Sequence, residues 1–197
     1  MKTINVYSFD EITDEKLRQK ILTKYYDINV DSDWYQWTTD QYTSELEKIG
    51  FYDVKIGFSG FSSQGDGANF IGAWSSSSKR IPSDLPCIEN LRQLLDKIGK
   101  NHEFGFRLVK NGYSRYEREN SVIMADNNKY FHVTGQYYEF LPEHIEFAIL
   151  SACHTIMQAI YATLEDEYTY LISDEAIIDT LQANKYYFDS EGVIQRA

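Results

Sequence analysis

Apolar and polar residues alternate on either side of a glycine-rich centre. Val54, Ile56 and Phe58 alternate with Lys55, Gly57 and Ser59, and Ala68, Phe70 and Gly72 alternate with Asn69, Ile71 and Ala73. A period of two predicts strands on both flanks. Between them, Ser62-Ser63-Gln64-Gly65-Asp66-Gly67 supplies turn chemistry, because Asp-Gly is a strong hairpin signal and Gly65 and Gly67 accept positive φ. The pattern predicts an antiparallel hairpin over residues 54–74 with a glycine-rich tip. Glycine inside a strand marks a bulge or a close approach by another backbone or a ligand. Exposed N–H groups of the tip, with Gln64, Gly65, Asp66 and Gly67, form a candidate binding site. A twisted hairpin that needs glycine to bend accounts for the same residues. No helix pattern follows and no Gly-Lys-Ser/Thr appears, so the stretch is neither a Rossmann nor a P-loop element.

The rest of the chain mixes both periods. Residues 3–9 read as a strand, followed by a helix capped by Thr13 with Leu17, Ile21, Leu22 and Tyr25 as its stripe. A second helix, capped within Asp31-Ser32-Asp33, carries Trp34, Trp37, Tyr42, Leu46 and Ile49 toward the core and ends at Gly50. Residues 75–82, with four serines and Pro82, read as a flexible loop and the strongest candidate for a domain boundary. Ile88, Leu91, Leu94, Leu95 and Ile98 mark a short amphipathic helix. Phe104, Phe106 and Leu108 alternate as a strand, Asn111-Gly112 turns, and residues 113–125 return as a strand with Arg115 and Arg118 exposed. Asp126-Asn127-Asn128 turns again before a strand near 130–134. Pro142 opens the longest helix, to about residue 167, with Ile145, Ile149, Ala152, Ile156 and Ile160 on one face. A last helix starts at Ser173-Asp174-Glu175, and residues 186–188 form a short strand. Together these elements predict a single α+β domain over residues 1–197: a mostly antiparallel sheet with a Gly-rich central hairpin and packed helices.

Charge changes this picture in one place. The chain of 197 residues has a net charge of −11. Residues 130–184 contain 9 Asp/Glu and no Lys or Arg, whereas residues 79–129 contain 10 Lys/Arg and 7 Asp/Glu. Such an acidic stretch disfavours direct nucleic-acid binding and suits a protein partner with a basic face. Glu165, Asp166 and Glu167, at an expected exposed helix end, and Asp174 and Glu175 are the candidate acidic-face residues. Acid that merely maintains solubility explains the same composition. Two cysteines, Cys87 and Cys153, fit a reducing, cytoplasmic setting better than a disulfide framework. No signal peptide is recognisable, and no apolar run approaches membrane-spanning length, so no membrane partner is expected.

Candidate chemistry is sparse. His102, His132, His144 and His154 show no metal-ligand spacing, and no metal or other cofactor is predicted. Cys153 and His154 are neighbours on a helix and point about 100° apart, so they do not form a nucleophile–base pair. With no catalytic motif, a non-enzymatic binding protein is the favoured reading. The alternative is a small hydrolase or nucleic-acid-acting enzyme built on the Gly-rich hairpin, with Asp66 and Gln64 meeting His102 or His132 in one cleft.

Three stretches carry a resemblance. They are Val6-Tyr7-Ser8-Phe9-Asp10-Glu11-Ile12-Thr13-Asp14-Glu15, the central Phe58-to-Phe70 segment, and Glu167-Tyr168-Thr169-Tyr170-Leu171-Ile172-Ser173-Asp174-Glu175-Ala176-Ile177-Ile178 followed by Ala183-Asn184. In these the chain resembles small phage and prophage proteins often labelled as antitoxins of toxin–antitoxin systems. The resemblance implies a protein-binding, inhibitory role in phage–host conflict, of antitoxin or anti-defence type, and brings no catalytic residue with it.

Overall fold

The computed structural model describes residues 5–100, 103–112, 114, 116–125, 130–133, 136–138 and 141–195, with 130–133 and 136–138 as backbone alone. In chain order the elements are β1 (Tyr7–Ser8), a 3-10 turn (Phe9–Glu11), α1 (Glu15–Lys24), α2 (Gln36–Lys48), β2 (Phe51–Ser59), β3 (Gly67–Ser75) and α3 (Pro86–Gly99). There follow β4 (Glu103–Lys110), a 3-10 turn (Glu119–Ser121), β5 (Val122–Met124), β6 (Tyr130–Val133), β7 (Gln136–Tyr138), α4 (Glu143–Leu171), α5 (Asp174–Ala183), β8 (Tyr187–Phe188) and β9 (Ile194–Gln195). The described strand pairs are antiparallel, in sheets ordered β1-β8-β9 and β2-β3-β4-β6-β7 with β5 also on β4. The fold is therefore α+β, as the two periods predict. The chain forms two compact units, Met1–Tyr35 with Glu165–Ala197, and Gln36–Leu164, so their boundaries fall at residues 35/36 and 164/165 and not in the serine loop.

The smaller unit is built around Phe9, Ile12, Ile21, Leu22, Ile177, Leu181 and Phe188. Phe9 meets Phe188 edge-on at 6.3 Å. Among the described residues of the expected strand, Tyr7–Ser8 alone pairs, because the chain tightens into a 3-10 turn at Phe9; the Glu11 carboxylate accepts the Ser8 N–H at 2.8 Å. Residues 3 and 4 of the expected strand lie outside the described residues. Asp14, not Thr13, caps α1: its backbone is extended and its carboxylate accepts the Lys16 N–H at 3.0 Å. Ser173 caps α5 as expected, accepting the Ala176 N–H at 3.3 Å. Asn29 ties the unit together, donating to the Leu171 carbonyl at 3.0 Å and accepting from the Thr180 hydroxyl at 2.6 Å.

In the larger unit, Ala68, Phe70 and Trp74 of β3 and Phe104, Phe106 and Leu108 of β4 are buried in the core. Trp74 stacks on Phe106 and lies 4.8 Å from Phe104, Phe51 meets both Phe70 and Phe106, and the Trp74 indole donates to the Ile49 carbonyl at 3.0 Å. From the helices, Leu46, Ile88, Leu91, Leu95, Ile149, Ile156 and Ile160 are fully buried. Trp37 departs from expectation and is 68% exposed. The buried face of α2 runs through Thr38, Tyr42, Glu45 and Leu46, and Trp37 stands about 100° off it. Trp34 lies in the smaller unit, half-buried against Tyr35 and Tyr168.

Three further expectations are corrected. The serine loop is tied down: Ser76 exchanges hydrogen bonds with the Phe104 backbone, and the Ile81 N–H donates to the Lys48 carbonyl at 2.8 Å. The return after β4 is not a continuous strand. The Asn111 N–H reaches the Ser121 carbonyl and residues 116–118 cross over to the hairpin tip, so pairing resumes only at Val122–Met124 and Arg118 is half-buried. Tyr113, Arg115 and the turn at 126–128 lie outside the described residues. Finally, α4 has 29 residues and a mean hydropathy of 1.4 over an 18-residue window, long and apolar enough to cross a membrane. It is nonetheless two-faced: Ile149, Cys153, Ile156, Met157, Ile160 and Leu164 are buried, and Ser151, Thr155 and Gln158 are exposed. That is how a core helix is patterned.

Candidate functional site

The hairpin exists, but its tip is not the tight Asp-Gly turn. Ser59 pairs with Gly67, so the connection is the seven-residue segment 60–66 and Gly67 already belongs to β3. Positive φ falls on Gly60 (+36°), not on Gly65 or Gly67. The Asp66 carboxylate folds back into the loop and accepts the Ser62 N–H at 2.6 Å, the Ser63 N–H at 2.5 Å and the Ser63 hydroxyl at 2.8 Å. The Ser63 hydroxyl and these N–H groups hold its carboxyl below the usual range, so it is an ionised brace for the loop. Gly65 and Gly67 are buried beneath residues 116–118. A Cβ on Gly65 would lie 2.3 Å from the Tyr116 ring, and one on Gly67 would lie 2.6 Å from the Arg118 Cβ. These glycines permit a close approach of the chain to itself. Of the tip residues Gln64 is exposed, its carbonyl accepting from Arg118 at 3.4 Å.

Asp66 was also the acid of the candidate hydrolytic pair. His102 and the His132 side chain lie outside the described residues. Cys153 is fully buried, and burial pushes its thiol far up, which makes it an inert core thiol. Among the described residues no group of three or more His, Cys, Asp and Glu is placed to hold a metal.

Sequence reasoning missed a polar groove on the outer face of the large sheet. β2 bulges between Tyr52 and Lys55, where Asp53 takes a left-handed φ of +54°. Val54 and the Tyr52 carbonyl then crowd Gly72, where a Cβ would meet them at 3.2–3.5 Å. The bulge aims Asp53 across β3 at Arg107, 3.3 Å away, and leaves a hollow of about 310 Å³ over Ile71 and Val109. A second hollow of about 240 Å³ shares Lys55 and Ile71. Its base is Asn69, 3% exposed, which donates to Glu117 at 2.7 Å and to Ser121 at 3.3 Å. Lys110 pairs with the same Glu117 and, with Asn69, holds its carboxyl below the usual range despite partial burial. Lys55 has no ion-pair partner among the described residues. The visible signal was Asn69, a polar residue inside an apolar strand, together with Gly57 and Gly72.

The candidate acidic-face residues lie in the smaller unit, divided between the last part of α4 and the start of α5. Because α4 continues to Leu171, Glu165, Asp166 and Glu167 lie inside it and not at its end. Asp174 and Glu175 form the first turn of α5, where carboxylates favour the positive pole of the helix dipole. Asp166, Asp174, Glu175 and Asp179 are exposed, and Glu165 and Glu167 are half-buried. On the last turn of α4, Tyr170 is 58% exposed.

The model of a domain of unknown function, DUF8835, matches residues 34–174. The chain belongs to the DUF8835 family. The DUF8835 match takes in the hairpin, the outer-face groove and the acids up to Asp174, and leaves α1, β8 and β9 outside it. No curated protein and no solved structure matches the chain.

Proposed function

We propose that this protein is a non-enzymatic binding domain that docks its acidic face on a basic protein partner and thereby inhibits it. One observation carries the reading: exposed Tyr170 is flanked along the chain by exposed carboxylates, Asp166 one turn before it and Asp174, Glu175 and Asp179 after it, in a stretch without Lys or Arg. Asp166 and Tyr170, four apart on α4, share a helix face. An exposed aromatic ring beside charge is a recurrent interface anchor, and a field of one sign steers the encounter. The resemblance to phage and prophage proteins supports an antitoxin or anti-defence role in the cytoplasm, mimicry of nucleic-acid charge being one form of it. The hydrolase reading is not favoured, because the Asp66 carboxylate is taken up by its own loop.

Capture of the partner from host lysate with tagged protein, followed by association rates at rising ionic strength, tests this. The Debye length falls from about 10 Å at 0.1 M to about 3 Å at 1 M. Association of the wild type should slow steeply with salt. The triple variant Glu165→Gln, Asp166→Asn, Glu167→Gln should start slow and respond weakly, and Tyr170→Ala should mainly speed dissociation. Equal, flat salt dependence in wild type and triple variant removes the acidic-face reading.

A further inference from the structure

The smaller unit contains a cleft of about 710 Å³, within the size range of small-molecule sites. Tyr25, Tyr186 and Tyr187 line it, with Asn184, Lys185 and Gln195 as its polar groups. Its backbone carries an anomaly. α5 ends in a paired closing motif, with the Lys185 N–H on the Gln182 carbonyl at 3.0 Å and the Tyr186 N–H on the Leu181 carbonyl at 3.1 Å. The motif's left-handed position is ordinarily glycine or asparagine, yet here it is Lys185, with φ +53°. Lysine in that conformation is strained, and such strain persists where a side chain is wanted at the spot. Lys185 is also the first basic residue after the 55-residue stretch that has none. In an acid-rich unit it has no ion-pair partner among the described residues.

The remaining groups narrow the ligand. Asn184 donates its amide N–H to the Thr180 carbonyl at 2.9 Å, and Gln195 donates to Asp189 at 2.7 Å, which leaves both amides their carbonyl oxygens as acceptors. The Tyr25 hydroxyl accepts the Ile194 N–H at 2.9 Å and keeps its own proton to donate. The cleft thus offers aromatic surface, two amide acceptors and a cation, and among its described lining residues there is no carboxylate. We propose that this cleft binds a nucleoside monophosphate: the base against the tyrosines, its exocyclic amine on the Asn184 and Gln195 carbonyl oxygens, and its phosphate on Lys185. The site is separate from the acidic face, and either assignment can fail without the other.

Calorimetric titration of the full chain with AMP, CMP, UMP, adenosine and inorganic phosphate tests it. AMP and CMP, which carry the amine, should bind more tightly than UMP, and adenosine or phosphate alone should each be weaker than AMP by about tenfold or more. Lys185→Gly relieves the left-handed strain while removing the cation. It should raise the melting temperature by a few degrees and weaken AMP to the level of adenosine. Lys185→Asn, also tolerated at that backbone position, should reproduce the loss. Absence of heat with every nucleotide at millimolar concentration overturns the proposal. So does unchanged AMP affinity in both Lys185 variants, or phosphate binding as tightly as AMP.

Discussion

The two units contain equal numbers of acidic residues and use them differently. Each has 15 Asp/Glu, set against 12 Lys/Arg in Gln36–Leu164 and 7 in the smaller unit. In the larger unit carboxylates hold segments together. Glu45, Asp53, Asp84, Glu89, Asp96 and Glu117 each pair with a lysine or arginine, and the chain Glu89–Arg92–Asp96–Arg80 ends with the Arg80 guanidinium 5.3 Å from the Trp74 ring centre. In the smaller unit the Lys20–Glu191 pair lies between largely exposed side chains, where an ion pair contributes little. Its acids at 166, 174, 175 and 179 face water. Equal acid content therefore says little about role. The smaller unit does use Glu11, Asp14 and Asp189 to brace its own turns and caps. What separates its acids at 166, 174, 175 and 179 from the paired carboxylates of the larger unit is whether the fold needs the charge.

Removing a carboxylate that the larger unit uses should produce the largest effect. Glu45 is 6% exposed and accepts the Ser83 hydroxyl at 2.5 Å, the Asp84 N–H at 2.9 Å and the Lys48 ammonium at 2.5 Å, clamping the entry to α3 onto α2. Glu45→Ala leaves these donors without their acceptor and should cost about 2–3 kcal/mol in urea unfolding. Burial pushes the Glu45 carboxyl up, but those hydrogen bonds outweigh it and hold the group below its usual value, and Arg92 and Gln93 bring Glu89 down to about 2. Both groups are more acidic folded than unfolded. Their stabilisation is complete above the ordinary value of 4.5; that of Glu89 is lost as pH falls from there toward about 2, and that of Glu45 as pH falls from there through its own lowered value. A Glu45→Ala variant as stable as wild type would mean that this buried carboxylate is as dispensable as the water-facing acids at 166, 174, 175 and 179.

The hairpin tip gives the next effect. At Gly67 an added methyl meets the Arg118 backbone at 3.0 Å as well as its Cβ, so something rigid must move. At Gly65 it meets the ring of half-exposed Tyr116, which can swing aside. Gly67→Ala should cost about 1–3 kcal/mol, and Gly65→Ala less. Adding Tyr116→Ala should recover stability in Gly65→Ala but not in Gly67→Ala, as read by thermal melting of the single and double variants.

These glycines also mark the limit of what the sequence makes legible. Alternation around residues 54–74 placed β2 and β3, and the apolar spacing placed α3, α4 and α5, because burial of one face dictates both periods. The tip was legible as special but not as covered, since the residues that lie on Gly65 and Gly67 come about 50 positions later along the chain. Asn69, Glu117 and Lys110 likewise meet only when three separate segments pack, and no local pattern announces that. Trp37 failed for the opposite reason: its apolarity suggested burial, but a shift of one residue in helical phase put it in water.

The smallest effect should come from the smaller unit's acids, and its sign differs between the two helices. Asp174 and Glu175 occupy the first turn of α5, where the partial positive charge of the helix end favours them. Glu165 and Asp166 approach the C-terminal end of α4, whose last turn has no basic residue to complement its negative pole. Asp174→Asn with Glu175→Gln should therefore lower stability by a few tenths of a kcal/mol, about 0.3–1 at most. Glu165→Gln with Asp166→Asn should leave stability unchanged or raise it slightly. Thermal melts of both double variants at low and moderate salt check this, and added salt should shrink both differences. A clear loss of stability in the α4 pair would show that the fold uses those acids and would blur the contrast between the units. A neutral or positive result leaves them with no role in the fold, so any slowing of partner association by their removal could be read as a direct effect on binding.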